Sequence, residues 1–98
     1  MTDAELINKL KHLEETSDHA ERHSLALELA DNSDRRIFDV LVRLIQRPNL
    51  ENRCGTLIYC LEAHDCSSIT ALLEDIAETG NFEAGMQAES ILDNQGLR

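Results

Sequence analysis

Ninety-eight residues suffice for one domain and a modest core that needs neither metal nor disulfide staples. The chain is 42% apolar but only 3% aromatic, with one proline and four glycines, so its core must be aliphatic and a turn-rich all-β fold is disfavoured. Nineteen acids against nine Lys and Arg give a formal net charge of -10, which disfavours nucleic acid or anionic membrane as a partner and favours a basic protein.

Six helices are predicted. The first covers about residues 3–16, where Thr2 and Glu5 have capping-box spacing and Leu6, Leu10 and Leu13 form an apolar stripe beside Ile7. The second covers about 19–31, with Asp18 as N-cap and Leu25 or Ala26, Leu29 and Ala30 as its buried side; Asn32-Ser33 ends it. The third covers about 35–47 and is capped by Asp34. Pro48-Asn49 then breaks the pattern, and Asn49 is expected to cap a fourth helix over 50–63. A fifth helix follows over 68–79, with Ser67 or Asp65 as cap and Gly80 as stop. The sixth covers 82–94, from the Asn81 cap to Gly96 just beyond its end. Every connection is short, so successive helices should run antiparallel.

The helices repeat. Leu6-Leu10-Leu13, Ile37-Leu41-Leu44 and Ile69-Leu73-Ile76 share one spacing and are offset by 31 and then 32 residues. In the even helices Ala26, Leu57 and Ala88 lie 31 apart, as do Leu29, Cys60 and Ile91, and Ala30, Leu61 and Leu92; Arg22 and Arg53 also match. A constant period over six helices predicts an all-α solenoid of three helical hairpins, approximately residues 2–33, 34–65 and 66–97, within a single domain over 1–98. The alternative is a non-repeating bundle of equally long helices.

The segment Arg22-x-x-x-Ala26-x-x-Leu29-Ala30, then Asp34, Ile37, Leu41, Leu44 and Ile45, then Asn49, Asn52-Arg53, Leu57 and Leu61, resembles HEAT-like repeats. The short subtype of phycobilisome-lyase-type HEAT proteins is the nearer pattern. The likeness covers the whole chain and is clearest over 22–65; in the third repeat Ala84 stands where the Arg would be. The resemblance implies a protein-binding scaffold whose even helices line a concave face. The metal-dependent hydroxylases on this scaffold use paired His-Glu motifs, and no His-Glu pair occurs here.

On such a face the outward positions of the middle repeat are Asn52, Gly55, Tyr59 and Glu62. One period back are Glu21, Ser24, Glu28 and Asp31; one period on are Glu83, Met86, Ser90 and Asp93. Six of these twelve are carboxylates and none is basic. Carboxylates accept charge-assisted hydrogen bonds from Arg and Lys, and Tyr59 offers an amphipathic anchor, with Gly55 expected to leave open space beside it. Glu21, Glu28, Asp31, Asn52, Tyr59, Glu62, Glu83 and Asp93 are therefore the candidate partner-binding residues. The bland alternative is a solvated helix face.

No catalytic set is found. His19 and His23 stand four apart and His12 lies on the neighbouring helix, a spacing open to metal, but no further ligand is placed, and no metal or cofactor is expected. His64-Asp65-Cys66 reads as a loop whose consecutive side chains diverge. Cys54 and Cys60 read as core residues with raised thiol pKa values. Arg35 and Arg36 should pair with neighbouring acids such as Asp31 and Asp39. Three cysteines, no apolar membrane span and no secretion-type leader suggest a reducing, cytoplasmic setting. The expectation is a non-enzymatic inhibitor or immunity-type protein covering a basic toxin, a nuclease in the first instance. A HEAT-type adaptor is the alternative, and a lyase-like enzyme a more distant one.

Overall fold

A computed structural model describes residues 1–50 and 54–98, with the Asn49 side chain left aside. Among the described residues there are six α-helices and no strand: α1 Asp3–Glu15, α2 His19–Glu28, α3 Arg35–Ile45, α4 Gly55–Cys60, α5 Thr70–Thr79 and α6 Phe82–Asn94. Short 3-10 turns occupy Pro48–Leu50, Leu61–Ala63 and Ser67–Ile69. No helix is long and apolar enough to cross a membrane among these residues.

Side-chain caps fix most of the helix starts. Thr2 Oγ1 accepts from the Glu5 amide at 3.2 Å, and Asp18 Oδ1 accepts from the Ala20 and Glu21 amides at 2.9 and 3.2 Å. Asp34 Oδ1 accepts from the Arg36 amide at 2.9 Å, and Asn81 Oδ1 from the Ala84 amide at 2.8 Å. Each contact satisfies an N–H that the first helical turn leaves unpaired. At the far end of α6, Gly96 adopts φ 63°, a left-handed conformation that glycine takes without a Cβ clash.

The middle of the chain departs from expectation. The fourth helix is not a continuous run over 50–63. A 3-10 turn ends at Leu50, α4 spans only Gly55–Cys60, and its last turn tightens to 3-10 geometry over Leu61–Ala63. Cys54 stands before α4 and gives it no side-chain cap. The expected cap at Asn49 and the Arg53 match to Arg22 lie outside the described side chains. Helix α5 likewise starts at Thr70 behind a 3-10 turn, while Asp65 Oδ1 accepts from the Ser67 amide at 2.9 Å in the preceding turn. Helix α2 ends at Glu28, with a turn over the next residues.

The repeating positions are the core. Leu6, Leu10, Leu13, Ile37, Leu41, Leu44 and Leu73 are buried, as are Ala26, Leu29, Leu57, Cys60, Leu61, Ala88, Ile91 and Leu92. Ile69 and Ile76 are only half-buried, so the last odd stripe is the least covered. Each odd helix packs on the even helix that follows it: α1 on α2, α3 on α4, α5 on α6. Helix α4 also packs against both α2 and α6, and α1 packs against α3. The molecule measures 37 × 26 × 16 Å along its principal axes.

Candidate functional site

The end of α2 and the end of α4 meet at a hollow of about 220 Å³ lined by Ala30, Asp31, Tyr59, Cys60, Glu62 and Ala63. Asp31 enters from the turn after α2, Tyr59 from α4, and Glu62 from the 3-10 turn that closes α4. Both carboxylates are exposed, and Tyr59 is 47% exposed. Among the described residues no Lys, Arg or His pairs with Asp31 or Glu62. The hollow is thus an aromatic-walled socket with two carboxylates that no described base neutralises. Its floor includes the buried Cys60, whose thiol is pushed up to about 11 by burial and stays protonated.

The remaining predicted residues divide. Glu28 pairs with Lys9 of α1, and Glu21 with the His12 imidazole, so α2 holds its outward acids against the neighbouring helix. Asp93 lies 3.7 Å from Arg98, whose guanidinium is held mainly by Glu89. Glu83 is exposed and has no described cation beside it, but its side chain lies across Gly55. A Cβ on Gly55 would fall 2.5 to 2.7 Å from Glu83 carboxylate and methylene atoms. The expected open space beside Tyr59 is therefore occupied, because a helix without a side chain at that point lets its neighbour's carboxylate rest on it. Asn52 lies outside the described residues.

Two exposed apolar residues add to the surface. Phe82, at the first position of α6, is 82% exposed, and Met86 one turn later is 52% exposed. Met86 was visible in the period; Phe82 was not, because a single aromatic at a helix start carries no periodic signal.

The described arginines are spent elsewhere. Arg36 Nη2 donates to Asp3 at 2.6 Å and to Asp34 at 2.8 Å. These bonds hold the Asp34 carboxyl down at about 2. Arg35 donates to the Asp65 carbonyl at 3.0 Å and stacks 3.7 Å over the Phe38 ring. Neither arginine takes the expected partners Asp31 and Asp39. Arg43 and Arg47 both serve Glu14, and Arg47 also donates to the Glu14 carbonyl at 2.9 Å. Together with Lys11 and Arg36 they flank a groove of about 500 Å³ between α1 and α3, floored by Leu10 and Val40.

Arg22, the residue shared by the repeat motif, is buried and donates from Nη2 to the Thr16 carbonyl. It thereby closes the C-terminal end of α1 from the next helix. His64 is also buried, beside Phe38 at 5.8 Å between ring centroids, and neither ring nitrogen has a hydrogen-bond partner. Burial and the nearby Arg35 push its pKa down. The loop it belongs to is a packed joint: the His64 carbonyl accepts from Gln95 of the α6 terminus at 2.8 Å, and Gln95 Oε1 accepts from the Cys66 amide at 2.9 Å. All three cysteines are buried, and none of them is in a disulfide. Among the described residues no three His, Cys, Asp or Glu side chains converge as a metal set.

No family model, curated protein or solved structure matches the chain. What it does must be argued from the socket and its surroundings.

Proposed function

We propose that the six helices form a short HEAT-like solenoid of three antiparallel hairpins, and that the chain is a non-enzymatic, acidic protein-binding module of the inhibitor or immunity type. Two features support the layering. Helix α4 packs against α2 on one side and α6 on the other, and open grooves of about 500 and 380 Å³ lie between α1 and α3 and at the ends of α3 and α5. Open grooves on the layer of odd helices are what the outer side of a curve would show, with the even helices then on the inner side.

The observation that carries the function is the socket of Asp31, Tyr59 and Glu62, with two carboxylates, an amphipathic aromatic and no balancing base among the described residues. Such a site prefers the Lys or Arg of a partner. A protein that cleaves nucleic acid has a basic groove built for phosphates, and an array of carboxylates can occupy it in their place. The net charge of -10 would also speed encounter with such a partner. Buried cysteines outside any disulfide suit a reducing, cytoplasmic compartment.

The test is affinity capture from extracts of the cells that make the protein, with wild type beside the Asp31→Lys, Glu62→Lys double variant. The expected result is one basic protein held by the wild type, released by salt and missed by the variant. An acidic partner, or a partner held equally by both, overturns the reading. The adaptor reading has its own observation, the mixed-charge groove between α1 and α3 with Ile7 half exposed at its edge. Loss of a partner on Ile7→Asp, with the socket variant still binding, would favour it.

A further inference from the structure

The chain has two phenylalanines, and they have opposite fates: Phe38 is 5% exposed and Phe82 is 82% exposed. Phe82 shares one side of α6 with Met86, since residues four apart are neighbours on a helix. This apolar pair brackets Glu83, whose side chain rests on Gly55 and so ties the start of α6 to the start of α4. The socket lies at the other end of α4. From Gly55 to Glu62 the chain advances seven residues, about 10 Å at helical rise. Gly55, Tyr59 and Glu62 are spaced four and three residues apart, so the point where Glu83 rests and the socket share one side of this segment.

We propose that the Phe82–Met86 pair and the socket are one docking surface, and that its occupant is a basic amphipathic helix with an apolar side chain and a Lys or Arg about two turns apart. The socket, at about 220 Å³, is smaller than a usual small-molecule site and suits the end of one long side chain. The apolar pair takes the hydrophobic stripe of the same helix, in the groove-and-anchor mode by which helices are commonly recognised. Charge complementarity decides the occupant. A second copy of this chain would bring -10 against -10, with the exposed Glu83 beside the apolar pair on each copy. This inference rests on the acidic-module reading for the sign of the partner's charge and adds the apolar half.

The probes are an amphipathic Leu–Lys helical peptide of about 18 residues and an oligolysine of equal charge, each titrated into the full chain by fluorescence anisotropy. The wild type should bind the Leu–Lys peptide at least about tenfold more tightly than oligolysine. Phe82→Ser with Met86→Ser should remove that excess and leave oligolysine binding unchanged. Both positions are exposed, and unchanged circular dichroism and thermal midpoint would confirm an intact fold. Asp31→Lys with Glu62→Lys should weaken both ligands. Equal binding of the two peptides by the wild type, or full Leu–Lys binding by the Phe82, Met86 variant, overturns the docking surface while the acidic-module reading stands. Sedimentation of the wild type as a dimer that the apolar variant dissolves would assign the patch to a second copy and overturn the inference. If the wild type binds neither peptide, both readings fall.

Discussion

The first three helices and the last three are built on the same stripe, but they treat charge in opposite ways. In α1 to α3, acids meet bases from the next element: Glu28 with Lys9, Glu21 with His12, Glu14 with Arg43 and Arg47, Asp3 and Asp34 with Arg36. In α4 to α6 the only described cation is Arg98, spent on Glu89 with Asp93 nearby, and Glu62, Glu74, Asp75, Glu78 and Glu83 have no described ion pair. Asp31 lies in the first half but faces Tyr59 and Glu62, at the border. One half uses charge to hold its helices together; the other leaves it displayed.

The largest expected effect breaks what the halves share. Leu57→Ala should cost about 2–5 kcal/mol in chemical denaturation, because Leu57 is fully buried and a cavity would remain in the middle of α4. A loss below about 1 kcal/mol would mean that α4 is not the packed centre. Next is Arg22→Ala, expected to cost about 1–3 kcal/mol by removing a buried side chain and leaving the part-buried Thr16 carbonyl without its donor. Arg22→Lys should restore only part, since an ammonium lacks the guanidinium fork.

A smaller effect is set by pH. His64 is buried neutral with its pKa lowered by burial and by Arg35, partly opposed by Asp34. The unfolded chain then binds a proton that the folded chain refuses, so stability is full above about pH 6.5 and falls as pH drops toward the folded value. His64→Leu should flatten that slope, read as the thermal midpoint between about pH 7 and 5. Asp34, Asp65, Glu14 and Glu89, whose pKa values are lowered, should add losses only below the ordinary carboxylate range. An unchanged slope in the variant would place the titration elsewhere.

Smaller still are the surface pairs. Lys9→Ala should cost about 0.2–1 kcal/mol in low salt and less in high salt. The smallest effect is that of Gly55→Ala. The new methyl displaces the exposed, flexible Glu83 side chain, and better helix propensity offsets the disturbance, so the midpoint should hardly move.

The spacing of apolar residues made the stripes of α1, α3 and α6 and the caps at Thr2, Asp18, Asp34 and Asn81 legible, because periodicity and capping are local. The shortness of α4 was not legible, since an apolar run does not say how many of its turns are α-helical. Asp31, Tyr59 and Glu62 were found by stepping one period between helices, and they line one hollow. Glu21 and Glu28 were found by the same step, but their contacts with His12 and Lys9 depend on α1, which the period of the even helices does not contain. The burial of His64 was hidden by its neighbours Asp65 and Cys66, and the contacts of Arg35 with Asp65 and of Arg36 with Asp3 by distances of about thirty residues along the chain.

The displayed charge can be tested directly by measuring binding and stability together on one variant, Asp31→Lys with Glu62→Lys. The account predicts that the thermal midpoint stays within a degree or two, about 0.5 kcal/mol, while association with a basic ligand loses its salt dependence and most of its affinity. A variant that binds as well as the wild type, or one that unfolds, would contradict it.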